Sequence, residues 1–486
     1  MSAPFNKSIT QTRRVGIPET SPNDQKLRKS AQVELSTRAK CGMNVVGKVI
    51  GAALVVGSCA LHGMCAPAQP PPQSATANST PSSRASITFI QAHEIDATDP
   101  AQRFPHGSRL VRLNLNAPGT SPTNLTPAFF AAADPQVSFD GHSILFAAQT
   151  QPNAAWQVWE IRAEGLPPKQ ITHCAGDCLQ PHYLPANQVA YTELEGVGTR
   201  RASEVQVSRN DGTEAHPITF GPGNFELETV LHSGRLLLSA NAPLVPESAP
   251  VSSRNLYVLD PDGSGLMLLR QDDAPRSIRS NATELADGTI LFLQRNTTHS
   301  PRAQREAIRP RALHATRLSP TQMRHASSLQ PVLLAPHPVA DAYRSILHPD
   351  RTSGRIVCLD AYASRDFLTG RIPVPITRVR VVTKTPAGET SLGEAPVESD
   401  GSFYATLPSD LPVRFMLLGA HGEILKQQRS WIWVRPGEDR GCFGCHESQS
   451  LSPQNRSPLT LQRLDAPTSL LGELPAPSST QPSVQP

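Results

Sequence analysis

The chain has 486 residues and a mass of 52.3 kDa, which exceeds what one ordinary hydrophobic core supports and favours two or three domains. Its formal net charge is only +4 and its basic residues are scattered, so we expect no nucleic-acid partner. The 47 prolines exceed the 31 glycines, which indicates a loop-rich β protein with unstructured ends.

Residues 1–68 are predicted to combine a disordered N-terminus with an export signal. The first 40 residues are polar and aperiodic. The apolar run at residues 49–58 is about ten residues long, too short to cross a bilayer but typical of a signal peptide. A start at Met43 gives a compact signal with Lys48 as its charge, so residues 1–42 are interpreted as an over-extended gene start. The alternative is a long, genuine charged region.

Two processing sites are compatible with this signal. Residues 56–59 resemble a bacterial lipobox, in which Cys59 is lipidated and becomes the mature N-terminus. Alternatively, residues 66–68 (Ala-Pro-Ala) fit the small-x-small rule of ordinary signal peptidase. We favour the lipoprotein, followed by a Pro/Ser-rich linker at residues 69–86. The expected location is the periplasm or cell envelope, with membrane contact only through a lipid anchor.

An internal repeat predicts the architecture of residues 87–350. Four turn residues, each followed by a hydrophobic strand, are spaced 46, 47 and 54 apart; they are Gly141, Asn187, Gly234 and Gly288. Short strands with this period are typical of β-propeller blades. Residues 87–90 with 110–113 are predicted to form a preceding blade, and residues 311–359 a degenerate closing one. Residues 134–141 resemble the repeat of TolB-like six-bladed propellers. A β-sandwich with fortuitous spacing is the alternative.

Cys174 and Cys178 lie between two predicted blades. In an oxidising compartment a local disulfide is the first expectation for this pair. The alternative is a metal site that also uses His173 and His182.

A smaller β-domain is predicted for residues 351–463. The period is lost after residue 370, but alternating strands continue at residues 377–382, 401–406 and 413–418, as in a small antiparallel β-sandwich. Residues 464–486 are rich in Pro and Ser and are predicted to be a disordered tail. The predicted fold class is therefore all-β, with a propeller followed by this domain.

Residues 442–446 read Cys-Phe-Gly-Cys-His, a pattern for covalent attachment of one c-type haem. Two thiols three positions apart can add to both vinyl groups along one porphyrin edge, and the next residue can turn back to the iron. Cys442 and Cys445 are therefore predicted to hold haem c, with His446 as the iron ligand through a neutral ring nitrogen.

Three other interpretations of this motif are a disulfide, a thioredoxin-like redox pair and half of a zinc site. A zinc site needs further ligands, typically a second CxxC or an HxxxH, which the chain lacks. A redox CxxC normally starts a helix after a strand, a context that is not predicted here.

The surroundings of the motif leave alternatives open. His421, Met416 and His348 are candidates for a sixth iron ligand, and an open or water-bound iron is equally tenable. Cys358 lies in an apolar stretch and is predicted to be a buried thiol. Trp431 and Trp433 alternate with an isoleucine, so their common face packs either on the porphyrin or on protein.

Residues 354–461 resemble the middle domain of hydrazine synthase alpha subunits. The matching segments are residues 398–403, 431–433, 441–447 and 455–459. The resemblance implies a TolB-like six-bladed propeller before this domain. In hydrazine synthase a tyrosine shortly after the motif ligates the iron, and the motif histidine turns towards zinc. Here no tyrosine follows His446, and there is no second CxxCH, so we do not expect hydrazine formation.

These observations lead to two functional expectations. The first is an exported mono-haem cytochrome-like protein that transfers electrons or serves in a redox enzyme complex, with a redox protein or subunit as partner. The second is an envelope propeller that binds or scaffolds other molecules and carries a structural haem or CxxC site.

Overall fold

The computed structural model describes residues 86–92, 107–116, 119–165, 167–196, 202–241, 254–270, 277–296, 303–309, 312–313, 328–364, 370–385, 388–428, 430–444 and 456–472. The predicted signal, Cys59, the linker up to residue 85 and the tail from residue 473 lie outside these ranges. The described residues form strands, with one 3-10 helix at Leu459–Gln462. Within the described ranges, no helix is long and apolar enough to span a membrane.

The N-terminal part consists of four-stranded antiparallel sheets that follow one another along the chain. Its strands are β1 (Ser86–Gln91), β2 (Arg109–Asn114), β3 (Thr123–Asn124), β4 (Ala131–Val137), β5 (Ser143–Gln149), β6 (Gln157–Arg162), β7 (Lys169–Gln170), β8 (Asp177–Leu184), β9 (Gln188–Glu195), β10 (Ala202–Arg209), β11 (His216–Pro217), β12 (Glu226–Val230), β13 (Leu236–Asn241), β14 (Arg254–Leu259), β15 (Met267–Arg270), β16 (Ser277–Glu284), β17 (Ile290–Asn296), β18 (Ala303–Arg309), β19 (Ala312–Leu313) and β20 (Ser328–Leu334).

These strands have the connectivity of a propeller. The sheets β4–β7, β8–β11, β12–β15 and β16–β19 are meanders, and a single parallel bridge links β14 to β16. The first strands of consecutive sheets pack against one another, which places them around a common axis. Within residues 86–334 the structure describes five such sheets. That the propeller has six blades therefore remains a prediction.

The predicted turns are confirmed. Gly141, Asn187, Gly234 and Gly288 all have positive φ, between 56° and 77°, and each lies one or two positions before the second strand of its sheet. At Gly141 an added Cβ would lie 2.6 Å from the backbone of Ala335, so this turn requires glycine for space as well as for conformation.

The closing region differs from the prediction. Residues 311–359 do not form a blade of their own in the part that the structure describes. Instead, β20 pairs antiparallel with β1 and completes the sheet β20-β1-β2-β3, so the end of the propeller closes onto its beginning. The predicted pairing of residues 87–90 with 110–113 is confirmed as β1 with β2.

Bulges in the innermost strands connect neighbouring sheets through buried polar groups. Asp134, Gln180 and Gln330 lie at irregularities of β4, β8 and β20, with φ of 51°, 54° and 52°. The Asp134 carboxylate accepts a hydrogen bond from the backbone N–H of Gln180 (3.0 Å) and another from the side-chain Nε2 of Gln330 (2.8 Å). In the same way, Glu228 on β12 accepts from the amide of Ala282 on β16. The hydrogen bonds thus run from sheet to sheet around the axis.

The C-terminal domain is a sandwich of two four-stranded sheets. One has the order β27-β21-β24-β28 and the other β23-β22-β25-β26. The strands are β21 (Ser353–Cys358), β22 (Arg378–Thr385), β23 (Gly388–Pro396), β24 (Phe403–Pro408), β25 (Val413–Leu418), β26 (Ile424–Gln427), β27 (Asp439–Cys442) and β28 (Thr468–Ser469). The core between the sheets is formed by alternate residues of both, among them Ile356, Phe403, Val379 and Phe415.

This domain extends further than the sequence predicted. Its end was expected at residue 463, but β28 pairs in parallel with β24, and Leu470 is buried in the core of the sandwich. The Pro- and Ser-rich composition of the tail conceals this single apolar anchor, which is too short to show a period.

Candidate functional site

Cys442 is the last residue of β27, at the edge of one sheet of the sandwich. This strand pairs in parallel with β21, and the amide of Leu359 donates to the carbonyl oxygen of Cys442 (2.8 Å). The Cys442 side chain is half-buried, contacts the sandwich core and donates through Sγ to the carbonyl oxygen of Gly444 (3.4 Å). Cys445 and His446 lie outside the described residues.

Gly444 brings the motif backbone against the turn that follows β21. Its φ is +147°, and a Cβ there would lie 2.9 Å from the carbonyl oxygens of Asp360 and Ala363. A larger residue would therefore push the motif away from this turn. The glycine inside the motif thus determines how closely the segment approaches the domain.

The turn at residues 360–363 is held by its own side chains. Arg371 donates to both carboxylate oxygens of Asp360 (2.6 and 3.2 Å), and its guanidinium lies 5.7 Å from the centre of the Tyr362 ring. The Tyr362 hydroxyl accepts from the amide of Ile376 (3.1 Å). Sequence reasoning missed these residues, because no local pattern shows that they contact the motif.

A second turn, at residues 400–402, contacts the first. Gly401 has a φ of +84°, and a Cβ there would lie 2.7 Å from Oδ1 of Asp360. The amide of Ala361 donates to the carbonyl oxygen of Gly401 (2.8 Å). The two turns therefore form one support beside the segment that contains Cys442.

The chain returns to this support after the motif. The amide of Leu459 donates to Oδ2 of Asp400 (3.0 Å), and the amide of Thr460 donates to Oγ of Ser402 (3.0 Å). Arg456 donates to the carbonyl oxygen of Asp400 (2.9 Å). Two of the segments on which the family resemblance rests, residues 398–403 and 455–459, are thus in contact with each other.

Asp400 is the charged centre of these contacts. Its partial burial raises the pKa of the carboxyl, but the hydrogen bonds from Ser402 and from the Leu459 amide outweigh this and lower the pKa below its ordinary value. The carboxyl group is therefore ionised at neutral pH, and both of its oxygens are available as hydrogen-bond acceptors.

Trp433 attaches the β-domain to the propeller. The side chain is fully buried among propeller residues, with its ring centre 5.7 Å from that of Phe220 and 5.4 Å from that of Phe225. Its Nε1 donates to the carbonyl oxygen of Gly263 (2.8 Å). Because Trp433 is enclosed in this way, it packs on protein and cannot contact a porphyrin.

Trp431 and Arg440 extend the same junction. The ring of Trp431 is buried, with the guanidinium of Arg414 at 4.9 Å. Arg440, two residues before Cys442, donates to the carbonyl oxygens of Trp433 (2.9 Å) and Leu266. Burial lowers the pKa of Arg440 from its ordinary value. The strand that leads to the motif is therefore held by the propeller.

Cys358 is buried as predicted, with 2% of its surface exposed, and is a thiol rather than part of a disulfide. It is the last residue of β21 and lies directly opposite Cys442 in the parallel pairing. This neighbour could not be predicted from the sequence, because the pairing of distant strands leaves no local signal.

The candidates for a sixth ligand lie in different environments. Met416 packs with Val382 and Leu418 on the face of its sheet that points away from the sandwich core, whereas Cys442 contacts that core. His348 is exposed, and its amide donates to the carbonyl oxygen of Pro436 (2.9 Å). His421 lies on the exposed turn between β25 and β26.

Cys174 and Cys178 are joined by a disulfide in the structure. His173 is exposed, whereas His182 is buried with its Nδ1 at 3.1 Å from the carbonyl oxygen of Gln180, and burial lowers its pKa. Neither histidine joins the group of possible metal ligands described there, which consists of the two cysteines and Glu193. The arrangement therefore does not support the alternative metal site.

The β-domain is similar in sequence to a known family. Residues 376–447 match the family model of the hydrazine synthase alpha subunit middle domain. Hydrazine synthase subunit alpha of Kuenenia stuttgartiensis is 33% identical over 107 residues, which are 21% of this chain and 13% of that protein. The chain is thus similar to hydrazine synthase alpha subunits in sequence over this domain, and the matched part is a small fraction of the relative.

Solved structures extend the similarity to the fold. Hydrazine synthase of Kuenenia stuttgartiensis aligns over 78% of this chain and 71% of that chain, with a TM-score of 0.61 and 17% identity. A putative TolB from Agrobacterium tumefaciens covers 47% of this chain and 85% of its own, with a TM-score of 0.35 and 14% identity. At 17% identity the hydrazine synthase alignment shows a common fold.

Proposed function

We propose that this chain is an exported mono-haem cytochrome-like protein that carries electrons or serves as a haem-dependent subunit of a redox enzyme complex. The observation that carries the proposal is the Cys-x-x-Cys-His motif, which begins at a half-buried thiol on the last residue of a paired strand. Haem c requires two thiols to attach the porphyrin and an imidazole to ligate the iron, and the motif contains all three groups.

The described part of the site fits such a group. Cys442 is accessible at the sheet edge, Gly444 sets the motif backbone against the turn at residues 360–363, and Arg371 and Tyr362 stabilise that turn. Cys442 and Cys445 would hold haem c by thioether bonds, and His446 would ligate the iron. When bound, haem c supplies one-electron chemistry, and the ligands and their surroundings tune its potential.

We do not extend the proposal to hydrazine formation. No tyrosine follows His446 in the sequence, although the resemblance associates one with the unusual iron ligation of hydrazine synthase. A shared fold supports many activities, so the residues at the iron decide the chemistry.

The proposal includes a location and an architecture. We place the protein in the periplasm or cell envelope, with Cys59 as the lipid anchor, and with a redox protein or subunit as its partner. The disulfide between Cys174 and Cys178 supports an oxidising compartment. We also propose that the propeller has six blades and is TolB-like, since the first strands of its described sheets surround one axis.

The proposal is tested by measuring whether haem is covalently attached to the exported protein. The full chain is expressed together with a c-type cytochrome maturation system, denatured, and examined by its reduced pyridine-haem spectrum and intact mass. We expect one haem per chain that survives denaturation. Cys442→Ser with Cys445→Ser should abolish it, whereas His446→Ala should keep the covalent bond and change the spectrum of the native protein. Cys174→Ser with Cys178→Ser is the matched control and should retain haem.

A wild-type chain without covalent haem would overturn this proposal. The second candidate, an envelope propeller that binds or scaffolds other molecules, would then stand. The observation that favours it is the firm attachment of the β-domain to the propeller through Trp433 and Arg440, which makes one continuous scaffold.

A further inference from the structure

The structure brings a third thiol to the segment that begins with Cys442. Cys358 and Cys442 are 84 positions apart in the sequence, yet they are opposite residues at the ends of β21 and β27. Opposite residues of parallel strands point to the same face of the sheet, and both cysteines contact the same core.

We propose that Cys358 is the resolving thiol for Cys442, and that the two form a reversible disulfide in the chain before haem is attached. The disulfide needs only these two described residues. Its role as a control on attachment rests on the proposed function.

The spacing suits the bond. Neighbouring strands lie about 4.8 Å apart, and disulfides join Cα atoms separated by roughly 4.4–6.8 Å. Both residues lie at strand ends, where a small adjustment of the backbone leaves the rest of the ladder intact. The proposed bond thus joins two positions that the pairing of β21 and β27 already places opposite each other.

The exposure of the two thiols gives the reaction an order. Cys442 is half-buried and accessible to solutes, whereas Cys358 is 2% exposed. The Cys442 thiolate attacks a small disulfide such as oxidised glutathione, forms a mixed disulfide and releases one glutathione thiolate. The Cys358 thiolate then attacks the Cys442 sulfur and releases the second glutathione thiolate. The two electrons go to glutathione disulfide, and the two thiol protons go to the released thiolates.

The consequence concerns the availability of Cys442. While it is bonded to Cys358 it has no thiol to add to a vinyl group, so a reductant must act before attachment. After attachment Cys442 carries a thioether, and Cys358 remains a buried thiol. The same pair would also protect Cys442 from irreversible oxidation in an oxidising compartment.

The first experiment maps disulfides in the full chain produced without haem. The chain is exposed to oxidised glutathione, its remaining thiols are alkylated in denaturant, and it is digested without reduction for mass spectrometry. We expect a peptide pair joined through Cys358 and Cys442 that disappears on treatment with dithiothreitol. Complete alkylation of Cys358, with Cys442 bonded to Cys445 instead, would overturn the proposal.

The second experiment tests the control on attachment. Cys358→Ala and Cys358→Val should give a severalfold higher haem yield than wild type when reductant is limiting, and an equal yield in excess reductant. Equal yields at every reductant concentration would refute the role of Cys358. If no chain binds haem even in excess reductant, the proposed function fails, while the peptide map still decides whether the disulfide forms.

Discussion

Two tryptophan N–H groups show how differently single buried residues can contribute to this fold. Nε1 of Trp433 donates to the carbonyl oxygen of Gly263, whereas Nε1 of Trp159 is buried without a partner among the described residues. A buried hydrogen bond stabilises the folded state by roughly 1 kcal/mol, and a buried donor without a partner costs free energy. The two residues therefore form a matched pair for mutation.

Trp433→Phe should lower the free energy of unfolding by about 1–2 kcal/mol, because the Gly263 carbonyl loses its donor. Trp159→Phe removes a donor that has no partner and should leave stability unchanged or raise it slightly. Denaturant unfolding of both variants measures the difference. Equal losses would show that ring volume, rather than the hydrogen bond, determines the effect at Trp433.

The lowered pKa of Asp400 predicts a pH dependence at the contact with residues 456–460. A carboxyl whose folded pKa lies below its unfolded value stabilises the fold above the unfolded pKa, about 3.9, and this stabilisation is lost as pH falls through the folded pKa. The advantage of wild type over Asp400→Asn in unfolding free energy should thus be full at pH 6 and decline below about pH 4. A difference that is constant with pH would contradict the role of the charge.

At the scale of strands, the sequence predicted what depends on local pattern. The turn residues Gly141, Asn187, Gly234 and Gly288 have the positive φ that a tight turn demands, and the hydrophobic strands follow them. The innermost strands escaped prediction, because buried Asp134 and Gln180 break the alternation and are satisfied only by neighbouring sheets. The same holds for Cys358, whose neighbour is set by the register of two distant strands.

The bulge in β4 is the clearest element to test. Asp134→Gly removes the carboxylate that holds Gln180 and Gln330, without steric strain at positive φ. We expect a loss of about 2–3 kcal/mol in unfolding free energy, because the buried backbone N–H of Gln180 then lacks its acceptor. Asn187→Gly, at a similar φ on an exposed turn, is the control and should change stability by less than about 0.5 kcal/mol. Similar losses in both variants would assign the effect to backbone flexibility.

At the scale of the whole molecule, the propeller and the β-domain share buried residues and also form hydrogen bonds across their junction. Trp433 belongs to the propeller core, and Arg440 connects β27 to the carbonyl oxygen of Leu266. The described residues from Ser86 onward belong to a single compact unit. Two domains that share a core should unfold together.

Calorimetry should therefore show a single transition for the wild-type propeller and β-domain. Trp433→Ala should cost about 3–5 kcal/mol and separate the transition into two, because the cavity lies at the junction of the domains. Leu464→Ala, at a fully exposed side chain, is the control and should leave one transition at the wild-type temperature. Two transitions already present in wild type would show that the junction does not couple the domains.

The return of residues 456–460 to the Asp400 turn also sets a sequence of events during biosynthesis. A chain that emerges N-terminus first presents β21 and the Asp400 turn early, then Cys442 and Cys445, and only afterwards Leu459 and Thr460. At roughly 5–20 residues per second, the interval between the motif and its last neighbouring segment is on the order of one to three seconds. Within that interval the motif has emerged while residues 456–460 have not yet reached the Asp400 turn, so the segment around Cys442 is more open during synthesis than in the finished domain.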